Sequence, residues 1–348
     1  MRCESDMPAT LQTEPDAPLA SLLLITFNQQ ETVADAIRGA LSQTWAPLEI
    51  LISDDASSDD TFAVAERCVG DYRGPHTVRL CRNDTNLGIS AHLSALAARA
   101  SGEMLFIAAG DDISRSERVE RVMCDWLASG RRYDLVATDL QDIDAEGNVH
   151  GVLRVTDLDD YHSFEDWSGN RPHVVGAAHA WARRLFEEFG PIAPGIYGED
   201  QIMTFRAIMS HGAHTLHEPL VQYRRGGLSR KRIWRTPADF VARIKLANIN
   251  GAGETGQLVK DAEKLGVGGP MRALLAAKSA RETYVSALFG ERSLARKLTL
   301  FGMSKDVDFG FRFRMFIYAT CPWLLSPFFF VKRHLRGRAR IHAIRKAP

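Results

Sequence analysis

The chain has 348 residues, of which 45% are apolar and 25% charged, and its Lys+Arg and Asp+Glu counts balance at 43 each. That size and composition bury a substantial core and accommodate one main domain with a smaller appendage. The five cysteines, Cys3, Cys68, Cys81, Cys124 and Cys321, show neither a paired framework nor metal spacing. This excludes a disulfide scaffold and agrees with a reducing compartment.

Residues 1–18 lack the apolar core of a signal peptide and read as a disordered lead-in, which leaves the rest of the chain in the cytoplasm. The apolar run "ASLLLITFNQQ" then predicts a strand ending at Asn28. In "ETVADAIRGALSQ", Val33, Ala36, Ile37, Ala40 and Leu41 recur at helical spacing. The strand "PLEILISDD" follows and completes a β-α-β unit. A second unit runs from helix "TFAVAERCV" through strand "TVRLCRN" and helix "SAHLSALAARA" to strand "MLFIAAG". This alternation predicts a mostly parallel sheet with helices on both faces.

Two of these strands stop at paired acids, Asp54–Asp55 and Asp111–Asp112. An apolar run that ends abruptly in aspartates reads as a buried parallel strand opening into a ligand crevice. Carboxylates gathered at one sheet edge repel one another and call for a cation or donors between them. A hard divalent ion carrying a diphosphate suits that need, so a nucleotide-diphosphate site is the first physical reading. After the second pair, Ser114 and Glu117 read as a capping box for the helix "SRSERVERVMCDWLAS".

Other polar clusters have plainer readings. Asp59 and Asp60 read as a helix cap, Asp142 and Asp144 as a hairpin turn, and "DLDD" at 157–160 as an exposed loop. His211, His214 and His217 lack zinc spacing and read as surface or satisfied core residues.

From Leu19 to about Arg225 the chain resembles an inverting glycosyltransferase of family 2 with the GT-A fold. The resemblance rests on "TFN" at 26–28, "LSQTW" at 41–45, "SDDASSDDT" at 53–61, "NLG" at 86–88, "GDD" at 110–112 and "GED" at 198–200, in that order. It implies an α/β Rossmann-like sheet over residues 19–235 and a sugar-nucleotide donor of the UDP, dTDP or GDP type. Thr26, Phe27, Asn28, Asp54, Asp55, Asn86 and Gly88 map to donor binding, with Asp55 receiving the base. Asp112 maps to the metal ligand for Mg²⁺ or Mn²⁺, and Asp111 to a sugar or ribose contact. Asp200 maps to the catalytic base, supported by Glu199, and His179 and Trp181 to acceptor contacts. Arg224, Arg225 and Ser229 in "VQYRRGGLSRKR" map to the diphosphate, since guanidinium forks suit phosphate oxygens. Other classes fit less well. A phosphorelay receiver carries its acid pair after the first strand, and "TFNQQETV" lacks the glycine fingerprint of dinucleotide oxidoreductases. A non-catalytic sugar-nucleotide-binding protein or a nucleotidyltransferase on a similar sheet remains the alternative.

Residues 236–314 read as helices broken at "NGAGETG" and "GVGGP". Residues 315–331 carry no charge and contain Pro322 and Pro327, and residues 331–348 hold seven Lys or Arg and no acid. Nothing there supplies a nucleic-acid motif. The 315–348 segment is expected to lie at the inner face of the membrane, its aromatics in the lipid boundary and its basic flank on anionic headgroups. Such peripheral attachment suits a lipid-linked or oligosaccharide acceptor.

Overall fold

The computed structural model describes residues 17–225 and 236–326. The chain forms two compact units, residues 1–192 with 199–227, and residues 193–198 with 228–348.

The first unit is built on strands β1 (Ala20–Thr26), β2 (Leu48–Asp54), β3 (Thr77–Arg82), β4 (Met104–Ala109), β5 (Ile113–Ser114), β6 (Leu135–Ile143), β7 (Val149–Leu153), β8 (His179–Ala182) and β9 (Ala213–Arg224). They form one sheet in the order β3-β2-β1-β4-β8-β6-β9-β5, with β7 on the flank of β6. Strands β3, β2, β1 and β4 are parallel, whereas β8 runs antiparallel to both β4 and β6. Every residue of β2 is buried, which explains the predominance of Leu and Ile in it. The polar exceptions pair inside: the Ser21 hydroxyl donates to Glu49 at 2.6 Å and accepts from the Gly102 amide at 2.8 Å.

Seven helices belong to this unit: α1 (Val33–Leu41), α2 (Thr61–Gly70), α3 (Ile89–Ala97), α4 (Arg118–Ala128), α5 (Phe164–Gly169), α6 (Arg183–Phe189) and α7 (Glu199–Met209). Val33, Ala36, Ile37 and Ala40 of α1 and Val119, Val122, Met123 and Trp126 of α4 join Leu22, Leu24, Ile50, Ile52 and Phe106 in one core cluster. Each fully buried Leu, Ile or Phe there contributes roughly 1.5–3 kcal/mol.

Several local expectations need correction. Helix α4 starts at Arg118 with no side-chain cap, because Ile113 and Ser114 pair with Gln222 and Val221 of β9 instead. The Ser114 hydroxyl accepts from Arg118 Nη1 at 2.9 Å, and the Glu117 carboxylate takes Arg115 Nε at 2.9 Å. At α2 the cap is Asp59 alone. Its Oδ1 accepts from the Thr61 amide at 3.0 Å, while the Asp60 side chain makes no cap bond. The 157–160 segment is a single 3₁₀ turn (Leu158–Asp160) with Leu158 fully buried. The Asp142–Asp144 turn forms as read, with Asp144 Oδ1 accepting from the Glu146 and Asn148 amides. Each of the three histidines meets an aspartate: His211 with Asp134, His214 with Asp159, and His217 with Asp139.

The second unit holds α8 (Pro237–Lys264), α9 (Gly268–Gly290), α10 (Leu294–Met303), α11 (Phe309–Thr320) and a 3₁₀ turn (Pro322–Leu325). Helix α8 begins with a capping box in which the Thr236 hydroxyl and the Asp239 carboxylate each accept the other residue's amide. It runs straight through "NGAGETG". The glycines there serve close packing, since a Cβ at Gly251 would lie 2.6 Å from Glu282 Oε1 and one at Gly253 3.2 Å from Ile196 Cγ1. At "GVGGP" the break occurs, with Gly266 at φ +78°. Met315 packs with Tyr284, Val285, Leu288 and Val307, so the described start of the 315–331 run contributes to a core. No helix among the described residues is long and apolar enough to cross a membrane.

Candidate active site

The parallel register places the carboxyl ends of three neighbouring strands in line. Thr26 pairs with Asp54 across β1 and β2, and Ile25 with Ala109 across β1 and β4. Asn28 and Ala56, just past two of these ends, hold φ of +51° and +58°, a conformation rarely taken by side-chain-bearing residues. Asn28 is fixed there because its amide donates to Ser57 Oγ and its Oδ1 accepts from the Ser58 amide, both at 2.8 Å. Phe27 remains exposed at the edge.

Asp54 turns inward. Its buried carboxylate accepts from the Ser57 amide and hydroxyl and from the Thr26 hydroxyl, and it pairs with Arg82 Nε at 3.2 Å. The expected donor contact at Asp54 is thereby corrected to an anchor for the 55–58 loop, since its acceptor sites are filled. Asp55 organises the neighbouring loop. Its Oδ1 accepts from Asn83 Nδ2 at 2.8 Å and the Leu87 amide at 2.9 Å, and its Oδ2 from the Gly88 amide at 2.9 Å. Asn86 Nδ2 reaches the Asp55 carbonyl at 3.3 Å, and Gly88 adopts φ +77°. An incoming base must meet Asp55 beside these amides or in exchange for them. Asn83 was not singled out from the sequence, where "RND" reads as an ordinary turn.

Beyond β4, Gly110 allows the closest approach, for a Cβ there would lie 2.5 Å from Gln29 Oε1 and 2.8 Å from Thr26 Cγ2. Asp111 and Asp112 follow. Burial pushes both carboxyls above their usual range, and the charge of Asp111 pushes Asp112 further. Asp112 Oδ1 accepts from the Arg224 amide at 2.8 Å. Arg118, fully buried, lies near enough to Asp112 to interact with its charge, and burial lowers its own pKa to about 10. Nothing in "SRSERVER" signals that this one arginine points inward.

The Arg224 expectation is corrected as well. The Arg224 guanidinium donates to the carbonyls of Asp111 (3.1 Å), Asp144 (3.3 Å) and Ala145 (2.7 Å) and to Asp35 (3.3 Å), so it braces the turn after β6. Arg225 forks onto Asp142, with Nε at 2.7 and 2.8 Å. Arg224 is thus taken up by the turn, whereas the Arg225 side chain stays 56% exposed beside Asp142. Ser229 lies outside the described residues.

The last acids arrive by a different route. Strand β8 is antiparallel to β4 with Ala180 opposite Phe106, so the 3₁₀ turn Gly176–Ala178 before it lies toward the carboxyl end of β4. A Cβ on Gly176 would sit 3.0 Å from Glu199 Oε1 and 3.5 Å from the Asp200 Cβ. Glu199 and Asp200, at the first turn of α7, therefore belong to the same sheet edge as Asp111 and Asp112. There the positive end of the helix dipole favours negative charge. Asp200 is half-buried and accepts from the Gln201 amide at 2.7 Å. Glu199 is buried, its Oε2 has no hydrogen-bond partner among the described residues, and burial, with Asp200 beside it, pushes its pKa to about 8.

That shift has a measurable consequence. Between the ordinary value of 4.5 and about 8 the native state holds a proton that the unfolded chain has released, so stability falls as pH rises through this window. Glu199→Gln should flatten the decline of Tm across it. An unchanged slope would show that Glu199 does not titrate there.

His179 and Trp181, expected against the acceptor, are 0% and 1% exposed. Strand β8 is central, between β4 and β6, so both side chains are core and make no direct acceptor contact.

The glycosyl transferase family 2 model matches residues 21–187, the stretch that supplies the strand ends and both acid pairs. Residues 21–187 thus belong to glycosyl transferase family 2. EpsE of Bacillus subtilis is 30% identical over 130 residues, which is 37% of this chain and 46% of EpsE. The chain is also 31% identical over 106 residues, 30% of its length, to the Escherichia coli UDP-Glc:alpha-D-GlcNAc-diphosphoundecaprenol beta-1,3-glucosyltransferase WfgD, covering 40% of that protein. The chain thus spans less than half the length of these curated relatives. The mannosyltransferase PcManGT from Pyrobaculum calidifontis, solved with GDP-Man and Mn²⁺, superposes with a TM-score of 0.51 at 17% identity, over 92% of this chain and 90% of that one. This likeness assigns the chain its GT-A fold.

Proposed function

We propose that the protein moves a sugar from a nucleotide diphosphate to an acceptor hydroxyl with inversion at the anomeric carbon, in cell-surface polysaccharide biosynthesis. The observation that carries this reading is the gathering of Asp55, Asp111, Asp112, Glu199 and Asp200 along one sheet edge. Asp55 takes the donor's base, because a carboxylate accepts the ring N–H of uracil, thymine or guanine. This leaves UDP, dTDP and GDP as donor nucleotides. Phe27 and Asn28 follow β1 at the same sheet edge, and Asn86 and Gly88 hold Asp55 in place.

Asp111 and Asp112 fit Mg²⁺ or Mn²⁺. They offer two hard oxygen ligands whose burial and mutual repulsion a cation would relieve, and these metals commonly take one or two carboxylates and fill the remaining positions with phosphate and water. Among the described residues no third carboxylate, His or Cys completes a set. A cation there would offset the charge that builds on the departing diphosphate. Asp200 accepts the proton of the acceptor hydroxyl as its oxygen attacks the anomeric carbon opposite that leaving group. Glu199, held neutral by burial, adds no second negative charge beside it.

A glycan on a lipid carrier is the acceptor class we favour, supported by the diphosphoundecaprenol substrate in the name of WfgD. The stereochemistry is tested by NMR of the first product formed from an α-linked nucleotide sugar. A β-configured anomeric proton is expected, and an α-configured product would refute inversion.

A further inference from the structure

Helices α10 and α11 expose a stripe that their own unit does not use. Leu294, Leu298, Phe309 and Phe313 are each more than half exposed. Leu294 and Leu298 are one turn apart on α10. Phe301, a further turn along, meets Phe309 of α11 edge-on at 5.8 Å, and Phe309 stacks on Phe313 at 6.2 Å. Arg312 clamps the junction, its guanidinium over the Phe301 and Phe309 rings and its Nη1 on the Phe301 carbonyl at 2.7 Å. The apolar strip is therefore continuous and held in shape. Apolar patches of this kind mark interaction sites.

Charge identifies the occupant. Residues 291–314 carry six Lys or Arg (Arg292, Arg296, Lys297, Lys305, Arg312, Arg314) against three acids. Glu291 pairs with Arg296 at 3.5 Å and Asp308 caps the Phe311 amide at 2.9 Å, and the segment keeps a basic excess of three. A second copy docking on the same face about a two-fold axis would bring these basic rims together, which disfavours self-association. Neither helix is long and apolar enough to cross a bilayer. An apolar stripe on short helices with a basic rim matches an anionic lipid surface, the stripe entering the acyl boundary and the rim meeting the headgroups.

We infer that the α10–α11 face, centred on Leu294, Leu298 and Phe313, is the surface by which this chain lies on an anionic membrane. This role is independent of the chemistry proposed for the carboxylate edge, and the test uses no sugar donor. The full chain is sedimented with sucrose-loaded phosphatidylcholine vesicles, with and without phosphatidylglycerol. It should pellet with the anionic vesicles at least about ten-fold more strongly than with the neutral ones. Partial release is expected at about 1 M salt, where the screening length falls to about 3 Å. Leu298→Ser combined with Phe313→Ser should weaken partitioning by about ten-fold or more, since each removes an inserting side chain. Leu294→Ser, at a position too exposed to endanger folding, should weaken it several-fold. Unchanged partitioning in both variants would overturn the inference. So would a loss of dimer by light scattering with vesicle binding intact, which would assign the face to a second copy.

Discussion

Asp112→Ala should abolish metal-dependent donor binding. The residue sits at the centre of the second acid pair, its carboxylate buried beside Asp111, with Arg118 near enough to interact with its charge. Removing it takes away the carboxylate assigned to the cation and leaves Asp111 alone to tie the metal and its diphosphate to the protein. The change also strips the Arg224 amide of its acceptor at 2.8 Å, which costs about 1–3 kcal/mol because the amide is buried. Asp59→Ala is the matching control. It removes the cap on the Thr61 amide at a cost of about 1 kcal/mol and should leave donor binding intact. Calorimetric titration with Mn²⁺ separates the two. An Asp112 variant that binds donor as the parent does, or full activity in EDTA, would defeat the metal assignment.

Asp200→Asn should leave donor binding intact and lower turnover by roughly 10²- to 10⁴-fold, the range for a lost general base. The amide keeps the size of the side chain and its oxygen can still accept from the Gln201 amide, so the start of α7 should hold. What it loses is the capacity to take a proton. Near-normal turnover in this variant would remove Asp200 from the role and leave Glu199 as the only acid of that pair.

The parallel half of the sheet is readable in the sequence because β1, β2 and β4 are covered on both faces, and such strands are predominantly apolar. The acids at their ends were readable for the same reason, as abrupt stops. What escaped depends on partners distant along the chain. Ser114 looks like a cap until β9, more than a hundred residues later, claims it as a strand. Arg224 looks like a phosphate ligand until the carbonyls of the 144–145 turn occupy its guanidinium. His179 and Trp181 look like sugar contacts because their type suits that role, yet a four-residue strand between two others leaves them no path to solvent. The glycines of α8 look like breaks because the close approach of Glu282 and Ile196 has no local signature.

The central claim is that a nucleotide diphosphate and a divalent cation bind together at these strand ends. A ligand that binds only the native state raises its stability by RT ln(1 + [L]/Kd), about 2.7 kcal/mol at a hundred-fold excess over Kd. Thermal unfolding with UDP, dTDP and GDP, each with and without Mn²⁺, is therefore the most direct measurement. The account predicts that at least one of the three raises Tm in the presence of Mn²⁺ and much less in its absence. A Tm that none of them moves, with the metal present, would contradict it.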